Sequence, residues 1–308
     1  MRERPTFVSD AKVLGVVYEG WRADVDAVEH LPVGFSAYHW VARQGGTPRL
    51  FVTLDALEPR RTTDSLEAAY AGAAALASSG LEFIVAPVAH RSGSFTAALA
   101  GHALSCTPWR EGVVAGTGPI EDERLARDNA AALARLHVAK LELPIPTWRP
   151  LVGPELADTL ADLVRPSWST GPYGKFARVA IQRRLPAIGA WTAAYHRLAD
   201  RARSRPWVPT HGEPHSRNQL LTSDGVVFVD WESLARAPRE RDLRPLVDSG
   251  HADLVAPDQL MLEMFDLEWR LDEVSQYAAW FASPHLGSED DRVAFGGLLA
   301  ELDRPHRH

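Results

Sequence analysis

Cysteine is almost absent from this chain: Cys106 is the only one in 308 residues, so no intramolecular disulfide and no cysteine-based zinc cluster can form. Lysine is nearly as scarce, limited to Lys12, Lys140 and Lys175. No apolar run approaches the ~20 residues a membrane-spanning helix needs. The opening MRERPTFVSD lacks the apolar core of a secretion signal. Both absences point to a cytoplasmic protein with no membrane partner. An excess of positive charge is also missing, since the formal net charge is −7. That argues against a nucleic-acid partner and suits a cationic small molecule better. No G-x-S-x-G occurs, which removes the usual serine-hydrolase signature. The stretch from Ala115 to Gly118 (AGTG) lacks both dinucleotide-loop spacing and a following lysine.

What is present is ordinary globular composition, 45% hydrophobic and 24% charged residues, in a chain long enough for two domains. From Val28 to about Gly118 the text reads as short strands punctuated by turns. Strands are expected at 38–43, 50–54, 83–88, 95–100 and 103–107. One inserted helix is expected over 66–79, capped by Asp64 or Ser65 and stopped by Gly80. Beyond Gly118 the period becomes helical, beginning with 121–141, where Leu125, Leu133 and Leu136 share a face. Two or three helices follow up to Arg205. Strands at 219–222 and 226–230 flank the turn Ser223-Asp224-Gly225, and the chain from Asp242 onward is again helical. Most of the ten tryptophans read as packing residues, with a few available to an acceptor pocket.

The chemistry concentrates between Thr210 and Leu243, THGEPHSRNQLLTSDGVVFVDWESLARAPRERDL. Phosphoryl transfer needs a hard divalent metal, and such metals prefer carboxylate and amide oxygens. Asp230 and Asn218 supply both oxygen types. It also needs a carboxylate to orient and deprotonate an acceptor hydroxyl, for which Glu213 is the candidate. A transition-metal site at His211 and His215 is disfavoured, because no third ligand follows at a usual spacing and Pro214 prevents the helix such a site uses. Glu240 and Asp242 read either as binders of a cationic acceptor or, for Asp242, as the cap of a following helix.

This segment resembles the catalytic and metal-binding text of the aminoglycoside phosphotransferases, H-G-D-x-x-x-x-N followed by an apolar strand ending in D-W-[DE]. The run from Ala237 to Leu243 (APRERDL) resembles the spectinomycin phosphotransferase branch. The likeness implies an α+β, two-lobed protein-kinase-like fold. A small antiparallel-sheet N-lobe would occupy 1–108, a hinge 109–118 and a larger, mainly helical C-lobe 119–308. It implies a small-molecule kinase using ATP or GTP with magnesium in the cleft. Glu213 would be the base, His211 the brace of the loop, and Asn218 and Asp230 the metal ligands. Gly34, Phe35 and Ser36 would cover the phosphates, Thr53 and Glu67 would stand at the phosphate-clamp positions, and Pro108 and Trp109 would dock the adenine.

Two positions depart from that pattern. Glu213 stands where the family has aspartate, and Thr53 stands where it has the phosphate-binding lysine whose usual partner would be Glu67. Arg49, Arg60 and Arg61 are the nearby cations that could compensate. The resemblance implies an aminoglycoside-like or aminocyclitol-like acceptor, while the wider fold also phosphorylates choline, homoserine and sugars. A nucleotide-binding pseudokinase is the competing reading.

Overall fold

The structure is a computed structural model that describes residues 3–22, 24–34, 37–58 and 61–304. The chain divides into two compact units, one comprising Met1–Trp148 with Trp207–Ala256 and the other Arg149–Pro206 with Pro257–His308. These boundaries differ from the 1–108, 109–118 and 119–308 division by lobe. The five-stranded sheet and the hairpin around the turn Ser223-Asp224-Gly225 fall in one unit.

The first unit opens with α1 (Asp10–Gly20), capped by the Ser9 hydroxyl accepting from the Lys12 N–H, with Val13 and Val17 buried one turn apart. No expectation covered this helix. Strands β1 (Ala27–Leu31), β2 (Ala37–Gln44) and β3 (Thr47–Ala56) follow. The β2–β3 turn places Gly45 and Gly46 at φ 53° and 81°; two successive positive φ values match the twist of a tight hairpin and favour glycine. Next come α2 (Thr63–Ser78), β4 (Thr96–Leu99) and β5 (His102–Pro108). The five strands form an antiparallel sheet in the order β1-β2-β3-β5-β4. Along β3, Leu50, Val52 and Leu54 turn to a buried core shared with Val13, Val17, Trp40, Leu104 and Cys106. Thr53 and Asp55 therefore lie on the opposite face.

The helix expected over 66–79 is α2, begun by Thr62 rather than Asp64 or Ser65. Thr62 and Ser65 exchange hydrogen bonds as a capping box. The strand expected at 83–88 does not form. Ile84 makes one isolated parallel bridge to Phe228, and Pro87 offers no N–H to prolong a ladder.

The unit continues with β6 (Val113–Val114) and α3 (Glu123–Val138), and returns at β7 (Val208–Thr210) after the second unit's helices α4 (Leu156–Leu163) and α5 (Gly174–Ala202). Strands β8 (Gln219–Thr222) and β9 (Gly225–Phe228) join β6 in a three-stranded sheet. A further strand, β10 (Ala235–Ala237), pairs with β7, and α6 (Arg244–Asp248) closes the unit. The 226–230 strand thus ends two residues early, leaving Asp230 beyond the ladder.

The second unit packs α4 and α5 with α7 (Gln259–Ala282) and α8 (Glu289–Asp303). Tyr195 donates to the buried Glu268 carboxylate, which also accepts from the Leu151 N–H. Among the described residues no helix is long and apolar enough to cross a membrane.

Two helical glycines should respond oppositely to the same change. At Gly15 a Cβ would meet nothing within 4 Å, whereas at Gly72 it would collide with Ile145 and Leu234. Gly15→Ala should raise stability by about 0.5–1 kcal/mol, and Gly72→Ala should lower it by about 1–3 kcal/mol through overpacking. Urea midpoints of the two variants check both signs.

Candidate active site

The loop after β7 is held by a buried carboxylate. Asp242 accepts from the backbone N–H of His211 at 3.0 Å and of Gly212 at 2.7 Å, and meets His137 Nε2 of α3 at 2.9 Å. Burial alone would push this carboxyl up, but the His137 contact and the backbone donors hold it below the ordinary range. Asp242 therefore neither caps α6, whose N-cap is Leu243 without a side-chain bond, nor reaches solvent. Gly212 has φ 98° and a Cβ there would run into the Arg241 guanidinium. That guanidinium is fixed by Thr210 Oγ1 at 3.0 Å and the Ser233 carbonyl at 2.8 Å. Only glycine combines that dihedral with that approach.

His211 is fully buried and spans the loop. Its Nε2 lies 2.9 Å from the Val229 carbonyl, and its Nδ1 accepts from the Glu213 N–H at 3.2 Å. These contacts place the proton on Nε2, and burial pushes the imidazole pKa down, keeping the ring neutral. Asn218 donates from Nδ2 to the Glu213 carbonyl at 3.0 Å, which leaves its amide oxygen facing away from that bond. Glu213 receives the Ser233 hydroxyl at 3.3 Å.

Asp230 follows β9 with φ 67° and ψ 65°, a left-handed conformation that costs a non-glycine residue about 1 kcal/mol or more. Its carboxyl is pushed up to about 7 by the protein packed around it, then by the charges of Glu213 and Asp55, with Arg61 pulling the other way, while the residue itself keeps a solvent-exposed surface. Glu213 and Asp230 are thus close enough for their charges to interact. Glu232 is pushed up to about 8 by burial and by Asp230. Asp55, on β3, is driven well above its usual value by burial and by Glu232, and its Oδ1 has no hydrogen-bond partner. Among the described residues one guanidinium answers these four carboxylates. Arg61, at the entrance to α2, lies 2.8 Å from Glu232 and 3.8 Å from Asp55.

The remaining expected positions lie apart from this cluster in their contacts. Thr53 Oγ1 is 3.3 Å from His39 Nδ1, and a Cβ on Gly34, at φ 75°, would strike the same imidazole. Burial pushes His39 down to about 3, so no positive charge stands at the strand position. Glu67 spends its carboxylate on the N–H groups of Phe95 and Thr96, both at 2.7 Å, and on the Thr96 hydroxyl at 2.5 Å. Pro108 pairs with Leu50 at the end of β5, and the Trp109 N–H donates to the Arg49 carbonyl at 2.9 Å. Arg49 itself turns its Nε to Gln44 at 3.0 Å. Phe35, Ser36 and Arg60 lie outside the described residues.

Asp55 and Glu232 had not been singled out from sequence. Glu232 was nevertheless the third letter of the D-W-[DE] text, and Asp55 was a charge closing an apolar strand. The donor chemistry suits a hard divalent ion, since the described oxygens are carboxylate and amide and the carboxylates outnumber the Arg61 guanidinium beside them. Among the described residues no three His, Cys, Asp or Glu side chains form a metal cage. A metal here would therefore take part of its coordination from Asn218 and from substrate phosphate, as magnesium commonly does.

A family model described as the phosphotransferase enzyme family matches residues 27–269. Protein StrN of Streptomyces griseus is 26% identical over 250 residues, covering 77% of this chain and 77% of that protein. Among solved structures, spectinomycin phosphotransferase in complex with ADP and spectinomycin has a TM-score of 0.71 at 14% identity, covering 97% of this chain and 96% of that one. Plasmodium vivax ethanolamine kinase has a TM-score of 0.59 at 12% identity, covering 94% of this chain and 86% of that one. At these identities the structural likeness is one of fold, the protein-kinase-like α+β fold with a small antiparallel-sheet lobe and a larger helical one.

Removing the clamp on the loop should be costly. Asp242→Asn keeps one acceptor oxygen but loses the charge that serves three donors, and should destabilise by about 2–4 kcal/mol in urea titrations at neutral pH. Because the Asp242 carboxyl is lowered in the fold, its stabilisation is complete above about pH 4 and fades as pH falls through the lower folded value. The gap between wild type and variant should therefore narrow in acid.

Proposed function

The chain belongs to the phosphotransferase enzyme family, and on that premise we propose that it transfers the γ-phosphate of ATP or GTP to a hydroxyl of an aminoglycoside-like or aminocyclitol-like small molecule. The observation that carries the reading is Asp230, held in a left-handed turn at the end of β9 and joined to the Glu213 loop through His211, which bridges the Val229 carbonyl and the Glu213 N–H. The complex of the similar spectinomycin phosphotransferase with ADP and spectinomycin supports both the nucleotide and the acceptor class. The net charge of −7 agrees with a cationic acceptor.

Asp230 and the Asn218 amide oxygen would hold magnesium, which when bound neutralises charge on the nucleotide phosphates. Glu213 orients the acceptor hydroxyl and takes its proton as the new O–P bond forms. His211 does not exchange protons in this scheme. Neutral and fully buried, it fixes the spacing between Val229 and the Glu213 backbone. Residues 1–108 would supply the nucleotide-covering lobe, with Gly34, Phe35 and Ser36 over the phosphates and Pro108 and Trp109 beside the base. Thr53 and Glu67 belong to the wall of that lobe, and 109–118 to its hinge. Glu213 carries its carboxylate one methylene further than aspartate would, and displacement by ~1 Å can cost ~10²-fold in a positioned reaction. The Ser233 hydroxyl contact at 3.3 Å supports a fixed placement for the longer side chain.

A second reading, a nucleotide-binding protein without turnover, rests on Thr53 and the neutral His39 beside it. A coupled nucleotide-consumption screen against spectinomycin, aminoglycosides, choline-like amino alcohols and sugars separates the two. Turnover with one acceptor class is expected. It should vanish in Asp230→Ala and fall about 10²–10⁴-fold in kcat for Glu213→Gln. Thermal stabilisation by magnesium nucleotide with no turnover on any acceptor would favour the second reading. Turnover surviving in Asp230→Ala would sink the assignment of that ligand.

A further inference from the structure

The lysine that the fold's sheet usually offers to phosphate is missing, yet the acidic cluster below β3 has recruited a cation from elsewhere in the chain. Arg61 reaches it from the connection between β3 and α2. The backbone there is pinned, because the N–H of Arg61 donates to the Glu58 carbonyl and the N–H of Glu58 to the Arg61 carbonyl, each at 3.0 Å. The next residue, Thr62, is locked as the N-cap of α2 by its exchange with Ser65. The guanidinium rests against Glu232 and Asp55 but remains 27% exposed. Two of its nitrogens make these contacts, and the planar fork carries five donors. Arg49 is turned toward Gln44, and Arg241 is held beneath Gly212 by Thr210 and Ser233.

We propose that Arg61 is the phosphate-binding cation of this site, working from the loop ahead of α2 in place of a strand lysine at position 53. The assignment rests on the kinase reading above and specifies how that site grips the nucleotide. Guanidinium suits the task, since its fork matches phosphate oxygens bidentately where an ammonium acts as a point charge. Glu232 and Asp55 hold the side chain at the rim of the cluster, so that its charge is already positioned when phosphate arrives. Among the charges acting on Asp230 and Glu232, Arg61 is the cation that opposes their mutual repulsion. Phosphate oxygens arriving with magnesium would share that charge, while the metal meets the need of Asp230.

Isothermal titration with magnesium–ADP and, separately, with adenosine tests the assignment on the intact chain. Arg61→Ala should weaken magnesium–ADP about 10-fold or more, the scale of a charge-assisted contact, and leave adenosine within about twofold. Arg61→Gln retains hydrogen bonding to Glu232 without the charge, so it should fold even if the alanine variant does not, and should show the same selective loss. Unchanged magnesium–ADP affinity in either folded variant would overturn the proposal. An equal loss for both probes would also overturn it, because it would mean that Arg61 only braces Glu232 and Asp55. Failure of the unaltered protein to bind either probe would bring down the kinase reading, and this assignment with it.

Discussion

Four carboxylates gathered against one guanidinium form the constraint around which this structure is organised. Asp55, Asp230 and Glu232 repel one another and Glu213 adds to that repulsion, with Asp55 and Glu232 enclosed and Asp230 and Glu213 open to solvent, and Arg61 offsets only part of it. Such an arrangement is unfavourable by itself, because burial penalises the charges of Asp55 and Glu232 and repulsion adds to the penalty. It persists because the elements that carry the carboxylates are stabilised by other contacts. Asp55 is fixed by β3, which pairs on both sides. Asp230 follows a ladder whose register with β8 is complete from Gln219 to Thr222.

The second requirement is a loop that does not yield to that repulsion. Asp242, fully buried, binds two consecutive N–H groups and His137, tying the loop to α3. His211 then links the loop to the strand end at Val229, and Asn218 links back to the Glu213 carbonyl. The site thus contains two kinds of carboxylate. Asp242 is saturated with donors and its pKa falls, whereas Asp230 lacks donors and its pKa rises. The first is a structural anchor and the second has unmet demand for a cation. Asp242 is fully buried whereas Asp230 is open to solvent, so the contrast follows from partners and from place together.

Local chemistry made much of the frame legible in sequence. The β8–β9 hairpin lies where Ser223-Asp224-Gly225 indicated it, and α2 and α3 form where capping residues precede helical spacing. The segment 83–88 looked equally strand-like, but its apolar run packs through a single bridge and Pro87 ends any ladder. Helix α1 escaped notice because Val13 and Val17 alone are a weak periodic signal over eleven residues. The loop residues His211, Glu213, Asn218 and Asp230 were legible because the motif keeps them within twenty residues of one another. Asp55 and Glu232 were not, and Arg61 was one of three candidate cations that sequence could not separate, since Arg61 and Glu232 stand 171 positions apart and only the fold brings them together.

Moving the site's cation from strand to loop changes what the sheet must do. A lysine at position 53 would have had to extend from a strand whose neighbours, His39 and Ser105, are packed beside it, and an ion-pair partner on α2 would have held it in place. Here Thr53 and the neutral His39 fill that wall with a polar but uncharged contact. Glu67, relieved of a lysine, instead ties the start of β4 to α2 through two backbone N–H groups. Glu67 thereby fastens helix to sheet, and Glu232 is the carboxylate that holds the guanidinium. On the proposed reading, the absence of lysine at position 53 and the contacts of Glu67 and Glu232 belong to one arrangement, in which the positive charge stands on the loop and Glu232 is its acidic partner.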